Sequence, residues 1–243
     1  MCDSIYEEKV FCVTVRLYVQ TSMEVDKIVD LNEDQSHYCI NVRRLRLNDE
    51  ILLFNGKDGE FLSVISSINK KTIRLSIINK VKDFRSLTPL MLVFSPIKQD
   101  RLNFMIEKAT ELGVTHIKPI ITEYTQIRKI NRERLLKIAI EASEQSERLC
   151  IPYLFEVETF SHFLFDHDFI EWPLACAYER CQTKENTSLE KSTGLLIGPE
   201  GGFSNKEIAM IQKKMPIISF GQQILRSETA AIVGLDRIRS LNV

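Results

Sequence analysis

Two short stretches near the carboxyl end hold the residues whose types and spacing could do chemistry. The first, LLIGPEGGFS at 195–204, places three of the chain's nine glycines within five residues, directly after an apolar run. Glycine at that density marks either a plain turn or a loop shaped around a ligand. A Walker phosphate loop is excluded because no Gly-Lys-Ser/Thr follows, and Gly198, Gly201 and Gly202 do not fit the Gly-x-Gly-x-x-Gly dinucleotide fingerprint. Glu200 inside the loop would repel an anion, so a cationic or hydroxyl-bearing ligand suits it better. The second stretch, FGQQILRSETAA at 220–231, sets Arg226, Ser227, Glu228 and Thr229 in a row. Ser227 or Thr229 would serve as an ordinary helix N-cap. Arg226 is not explained that way, because the amino end of a helix disfavours a cation.

Such stretches need elements to position them. Leu90–Phe94, Val114–Ile121, Leu174–Tyr178, Leu195–Ile197 and Ile217–Phe220 are apolar runs that predict buried strands. Between them Leu102, Met105, Ile106, Ala109 and Leu112 fall at helical spacing, with Gly113 placed to end the helix. Leu135, Ile138, Ala139, Ala142 and Leu149 predict one face of a second long helix. Ser204 with Glu207 matches a capping box, and Ala230 onward predicts the terminal helix. Alternating strands and helices predict an α/β domain with a mostly parallel sheet. Both chemical stretches then follow the carboxyl ends of strands, the edge where ligands sit in such sheets.

Residues 11–85 have a period of two instead. Phe11, Val13, Val15, Leu17 and Val19 alternate with more polar neighbours, as do Ile73, Leu75 and Ile77. Ile51–Phe54 and Phe61–Ile65 flank Asn55-Gly56-Lys57-Asp58-Gly59, a hairpin signal. Short strands with glycine turns predict a small β-barrel or sandwich. The expected division is therefore residues 1–86 and 87–243, with 1–10 as an extension.

Apolar residues at 44% and charged residues at 27% are ordinary for a globular chain, and no run approaches the ~18 apolar residues of a membrane span. The amino end MCDSIYEEKV is acidic where a secretory signal would be basic, which predicts a cytoplasmic protein with no membrane partner. Cys2, Cys12, Cys39, Cys150, Cys176 and Cys181 form no Cys-x-x-Cys pair, and His162 and His167 stand five apart in an acid-rich, loop-like stretch. No metal site is expected from that spacing. Net charge is −1, with 13 basic against 13 acidic residues in 1–86 and 19 against 20 in 87–243. Bulk charge therefore offers no nucleic-acid signal; only the clusters Arg43-Arg44-Leu45-Arg46 and Arg128–Arg134 could hold a polyanion.

GPEGGFS followed by Glu207, then Gly-x-x-Ile-Leu-Arg-x-Glu-Thr-Ala, resembles the paired carboxyl-terminal motifs of the SPOUT RNA methyltransferases. The close likeness is to the RsmE family, which methylates N3 of a uridine in 16S rRNA of the small ribosomal subunit. HYCINVRRLRLNDEILLFNGKDGEF at 37–61 is similar to that family's PUA-like barrel. KQDRLNFMIEKATELGVTHIKPIITE at 98–123 resembles its first α/β unit, and IEASEQSER at 140–148 its Glu-Gln-Ser helix. The chain departs from the family at Tyr124 and Gln223, where Arg is usual, and at Phe220, where Leu is common.

The resemblance implies a PUA-like β-barrel followed by a SPOUT α/β domain with a trefoil knot, holding S-adenosylmethionine in a bent shape. Leu196, Ile197, Gly198, Pro199, Glu200, Gly201, Gly202, Ser219, Gly221, Leu225, Arg226 and Thr229 would surround the cofactor. Arg226 would stabilise charge on a uridine carbonyl oxygen, and Glu228 or Glu200 would take the N3 proton. Arg16, Arg43, Arg44, Arg46, Lys98 and Arg101 would grip RNA phosphates. A homodimer is implied, with Glu144, Gln145 and Ser146 as candidates for its interface. Two rival functions are a SPOUT enzyme acting on transfer RNA and a non-catalytic ribosome-assembly factor.

Overall fold

A computed structural model describes residues 15–69, 71–179, 189 and 191–241. The proposed extension 1–10, the strand residues Phe11 and Val13, and the thiols Cys2, Cys12 and Cys181 lie outside the described residues. The chain splits into two units, residues 1–85 and 86–243.

The first unit is a five-stranded sheet in the order β1-β3-β4-β5-β2. Its strands are β1 (Arg16–Tyr18), β2 (Ile28–Asp30), β3 (Glu50–Phe54), β4 (Glu60–Ile68) and β5 (Ile73–Lys82). The period of two is borne out: Val15, Leu17, Val19, Ile51, Leu53, Ile73, Leu75 and Ile77 all enter one apolar core. The 55–59 turn closes because Asn55 Oδ1 accepts the Lys57 and Asp58 amides at 3.0 and 2.9 Å. Alternation gave no warning of α1 (Glu33–His37), capped by Asn32 and Gln35, nor of the π-helical turn at Tyr38–Val42 that leads into the arginine cluster. Arg16 is a correction to the RNA expectation. Its side chain is mostly buried, ion-paired with wholly buried Glu60 and 4.0 Å from the centre of the Phe54 ring, so its charge is engaged within the first unit.

The second unit is a seven-stranded sheet whose pairings are all parallel. It comprises β6 (Met91–Phe94), β7 (His116–Ile121), β8 (Tyr153–Leu154), β9 (Glu158–Thr159), β10 (Leu174–Ala177), β11 (Gly194–Ile197) and β12 (Ile217–Ile218). The order is β12-β10-β11-β6-β7-β8, with β9 also paired to β7. Because successive side chains point to opposite faces, Leu92, Phe94, Leu195 and Ile197 pack under α2 (Gln99–Glu111), α3 (Arg132–Gln145) and α6 (Ser227–Leu241). Met91, Val93, Cys176 and Leu196 pack under α4 (Phe160–Asp166) and α5 (Asn205–Ile211). Among the described residues no helix is long and apolar enough to cross a membrane.

Three local expectations need correction. Leu149 is not on α3: the helix ends at Gln145, and Glu147 takes a left-handed φ of 58° that breaks its path. His162 lies on α4 and His167 caps its end, so the acid-rich stretch is helical; Thr159 starts it by accepting the His162 amide. The last helix opens at Ser227, three residues before Ala230.

Candidate active site

The sheet order dictates where chemistry can gather. β10 lies between β11 and β12, so the segments leaving these three strands converge at one edge. Hydrogen bonds then tie the segments together. The Ser227 hydroxyl donates to the Gly198 carbonyl at 3.0 Å, joining the glycine loop to the start of α6. Glu207 completes the expected capping box, its Oε2 accepting the Ser204 amide at 2.9 Å. Its Oε1 accepts the Glu123 amide at 2.8 Å and so fastens the turn after β7 to the same loop. Gly198 has no side chain because a Cβ there would stand 2.9 Å from the Phe203 ring. Gly202 adopts φ +71°, a turn most residues resist.

The converging segments enclose a cleft of about 300 Å³. Of the residues expected around a cofactor, Ile197, Gly198, Pro199, Glu200, Gly202, Ser219, Leu225 and Arg226 line it. Four do not. Leu196 points to the opposite face of the sheet, as strand alternation requires of a residue between Leu195 and Ile197. Gly201 abuts Tyr124, Gly221 only shapes its turn by accepting the Ser219 hydroxyl at 3.1 Å, and Thr229 is exposed on α6. The sequence reading missed Tyr178 and Glu179, which follow β10, and also Phe203, Phe220, Gln223, Ile224 and Ala230. The signal for the first pair is topological: β10 is legible as a strand, but its place between β11 and β12 is not written in any motif.

Charge is arranged unevenly around the cleft. Arg101, expected to face RNA, stands in the cleft wall, its Nη1 3.7 Å from Glu200 Oε1 and its Nε 3.8 Å from Glu228 Oε1. Glu228 is buried and does not line the cleft, and its Oε2 accepts no hydrogen bond. Arg226 is exposed at the start of α6, where its carbonyl accepts the Ala230 amide at 2.8 Å. Its guanidinium has no ion-pair or hydrogen-bond partner among the described residues. A cation at a helix amino end costs ~0.3–1 kcal/mol, so this one is kept against the local preference.

The remaining sequence-predicted residues lie elsewhere. Arg43, Arg44 and Arg46 are exposed on the first unit, and Lys98 is exposed just before α2. In the Glu-Gln-Ser segment, Ser146 caps α3 by donating its hydroxyl to the Ala142 carbonyl at 2.6 Å, while Gln145 is exposed and Glu144 half-buried. Arg148 closes that segment. Its guanidinium donates to the Thr110 and Val114 carbonyls, fixing the turn between α2 and β7.

Comparison with known proteins follows the same division of the chain. Residues 85–239 match the RNA methyltransferase domain family, and residues 31–78 match the RNA methyltransferase PUA domain family. The ribosomal RNA small subunit methyltransferase E of Rickettsia conorii is 38% identical over 236 residues, spanning 93% of this chain and 95% of that protein. A crystal structure of ribosomal RNA small subunit methyltransferase E from Neisseria gonorrhoeae bound to S-adenosyl methionine superposes with a TM-score of 0.83 at 27% identity. That match covers 93% of this chain and 97% of the other. A structure of a Legionella pneumophila protein in complex with the same bound cofactor superposes with a TM-score of 0.84 at 28% identity, over 93% and 97% of the two chains.

Proposed function

The chain belongs to the ribosomal RNA small subunit methyltransferase E family, and from that premise we propose that it methylates N3 of a uridine in 16S rRNA, with S-adenosylmethionine as donor. The single observation that carries the reading is Arg226, an unpartnered guanidinium lining a cleft that can hold a small molecule. The residues present fit the donor. Ile197, Ile218, Phe220, Leu225 and Ala230 offer an apolar floor for an adenine, and Glu200 offers a carboxylate for hydroxyls or positive charge. A volume of about 300 Å³ lies within the range of small-molecule sites.

S-adenosylmethionine supplies an electrophilic methyl group carried on a positively charged sulfur. The chain's own task is to make a poor nucleophile reactive. Uridine N3 bears a proton, and when it leaves, negative charge spreads onto the flanking carbonyl oxygens. Arg226, whose guanidinium no other group among the described residues occupies, meets that charge from the cleft wall. Glu200, which lines the cleft, takes the proton; Glu228, set back behind Arg101, does not reach it. The target is the Watson–Crick edge, so the uridine enters unpaired or flipped out.

Arg43, Arg44, Arg46 and Lys98 hold phosphates in this account, positioning the RNA without reading its sequence. The chain works as a homodimer with the carboxyl end of α3 at the interface, and a ribosomal substrate places it in the cytoplasm. A knotted passage of the chain belongs to the same proposal, supported by β12 returning to the far side of β10. The test is incubation with labelled S-adenosylmethionine and small ribosomal subunits lacking the mark, followed by reverse transcription. A new stop beside one uridine is expected. Label entering transfer RNA alone, or subunit binding without label transfer, overturns the proposal in favour of one of its two rivals.

A further inference from the structure

The charged groups that line the cleft cancel, and a buried carboxylate beside them tips the balance. Glu179, Glu200, Arg101 and Arg226 line the cleft, and Glu228 stands directly behind Arg101. Among the described residues the two carboxylates and two guanidiniums that line the cleft cancel, and buried Glu228 adds one negative charge, whereas the Arg237 guanidinium over the Phe220 ring is exposed and screened by solvent. Arg101 is the pivot of the arrangement. It lies between Glu200 and Glu228 at 3.7 and 3.8 Å, too far for hydrogen bonds to either. Its positive charge is therefore shared between the carboxylates and committed to neither. The Glu228 oxygen that accepts no hydrogen bond is buried, so water does little to screen that carboxylate.

We infer that Glu228, Arg101 and Glu200 act as one charge-setting unit that makes the cleft prefer a cationic sulfonium ligand over its neutral thioether. This rests on the donor-binding reading above. S-adenosylmethionine carries one net positive charge near neutral pH and complements the surplus carboxylate. When its methyl group is transferred, the sulfur keeps the bonding electron pair, the nucleophile gains the methyl and gives up its proton, and the resulting S-adenosylhomocysteine is neutral. The product then loses the attraction that held the donor. Glu228 and Arg101 are positioning residues here: Glu228 touches no ligand and acts on the cleft through Arg101 and through its own charge.

The experiment is calorimetric titration of the full chain with S-adenosylmethionine and, separately, with S-adenosylhomocysteine. Its readout is the ratio of the two affinities, which needs no turnover. Glu228→Gln, though it lies outside the cleft, should lower the preference for the donor about threefold to tenfold, the scale of one unit charge acting across a partly solvated site. Glu200→Gln should lower it similarly, and Arg101→Gln should raise it. The double variant R101Q/E228Q keeps the original net charge and should return the ratio to within about twofold of the starting value. Restoration of the ratio by combining two changes that move it in opposite directions is not expected of residues that merely support the fold. Melting of each variant and its affinity for the thioether report whether the site remains built.

If Glu228→Gln weakens both ligands alike, or the double variant fails to restore the ratio, the inference is overturned while the donor-binding reading stands. Equal affinity of the unaltered chain for both ligands also overturns it alone. If the unaltered chain binds neither ligand, the donor-binding reading fails as well.

Discussion

Replacing Glu207 with alanine removes one carboxylate that serves two backbone amides. Its Oε2 accepts from Ser204 at 2.9 Å in buried surroundings, and its Oε1 accepts from Glu123 at 2.8 Å in a half-buried position. A charge-assisted hydrogen bond contributes ~1.5–3 kcal/mol, and an orphaned buried donor costs ~1–3 kcal/mol. The Ser204 side should carry most of that range. The Glu123 side carries less, because water can reach its amide. About 2–4 kcal/mol is expected for the whole change, a large part of the ~5–15 kcal/mol that holds a typical domain. Glu207→Gln keeps a single acceptor oxygen and turns an NH2 toward the second amide, so it should recover roughly half of the loss. Urea unfolding followed by a probe in the second unit measures both, and hydrogen exchange at the Ser204 and Glu123 amides shows which bond each variant has lost. Equal stability of E207A and the unaltered chain, or unchanged protection at Glu123, would refute the idea that this side chain joins the two turns.

Arg226→Ala should cut methyl transfer to small ribosomal subunits by at least ~100-fold, the usual scale for losing a charge-stabilising donor. Donor binding should stay mostly intact, and near-normal turnover would remove Arg226 from the mechanism. Gly234→Ala sets a Cβ 2.4 Å from the Leu195 side chain and 2.6 Å from the Phe220 ring, so those side chains or α6 must shift. That overpacking should cost ~1–3 kcal/mol in a denaturant titration; an unchanged midpoint would show that the side chains yield freely. Burial pushes His116 and His167 below the ordinary imidazole value, so their stabilisation is complete above about pH 6.5 and is lost as pH falls through their folded values. Glu158 and then Asp166 hold exposed His162 above that value, so its contribution is complete below about pH 6.5 and is lost as pH rises. Unfolding midpoints from pH 5 to 8 should show His167→Asn flattening the acid-side loss and His162→Gln flattening the alkaline-side loss.

Much of this molecule could be read from local pattern, because local pattern is what burial imposes on a chain. Alternation at Val15, Leu17 and Val19 and helical spacing at Leu102, Met105 and Ile106 both report which side faces a core. The capping box at Ser204 and the left-handed Gly113 were equally visible, since only certain residue types satisfy those backbone positions. What stayed hidden depends on partners distant in sequence. Arg16 looks like a surface cation until Glu60 is brought across the sheet to meet it. Arg101 looks like a phosphate contact until α2 places it between Glu200 and Glu228. Tyr178 and Glu179 entered the cleft through strand order alone, and Leu149 left its helix because of a single left-handed residue, Glu147.

The bond from Ser227 to the Gly198 carbonyl has a bearing on engineering. Grafting a start of α6 that lacks a hydroxyl at position 227, in an attempt to make the enzyme accept a bulkier alkyl donor, would cut that link and disturb the glycine loop as well. A combinatorial library should instead randomise Gln222, Gln223 and Ile224, whose side chains stand in solvent at the rim. Gly198 and Ser227 should be held fixed as a matched pair, or exchanged only together.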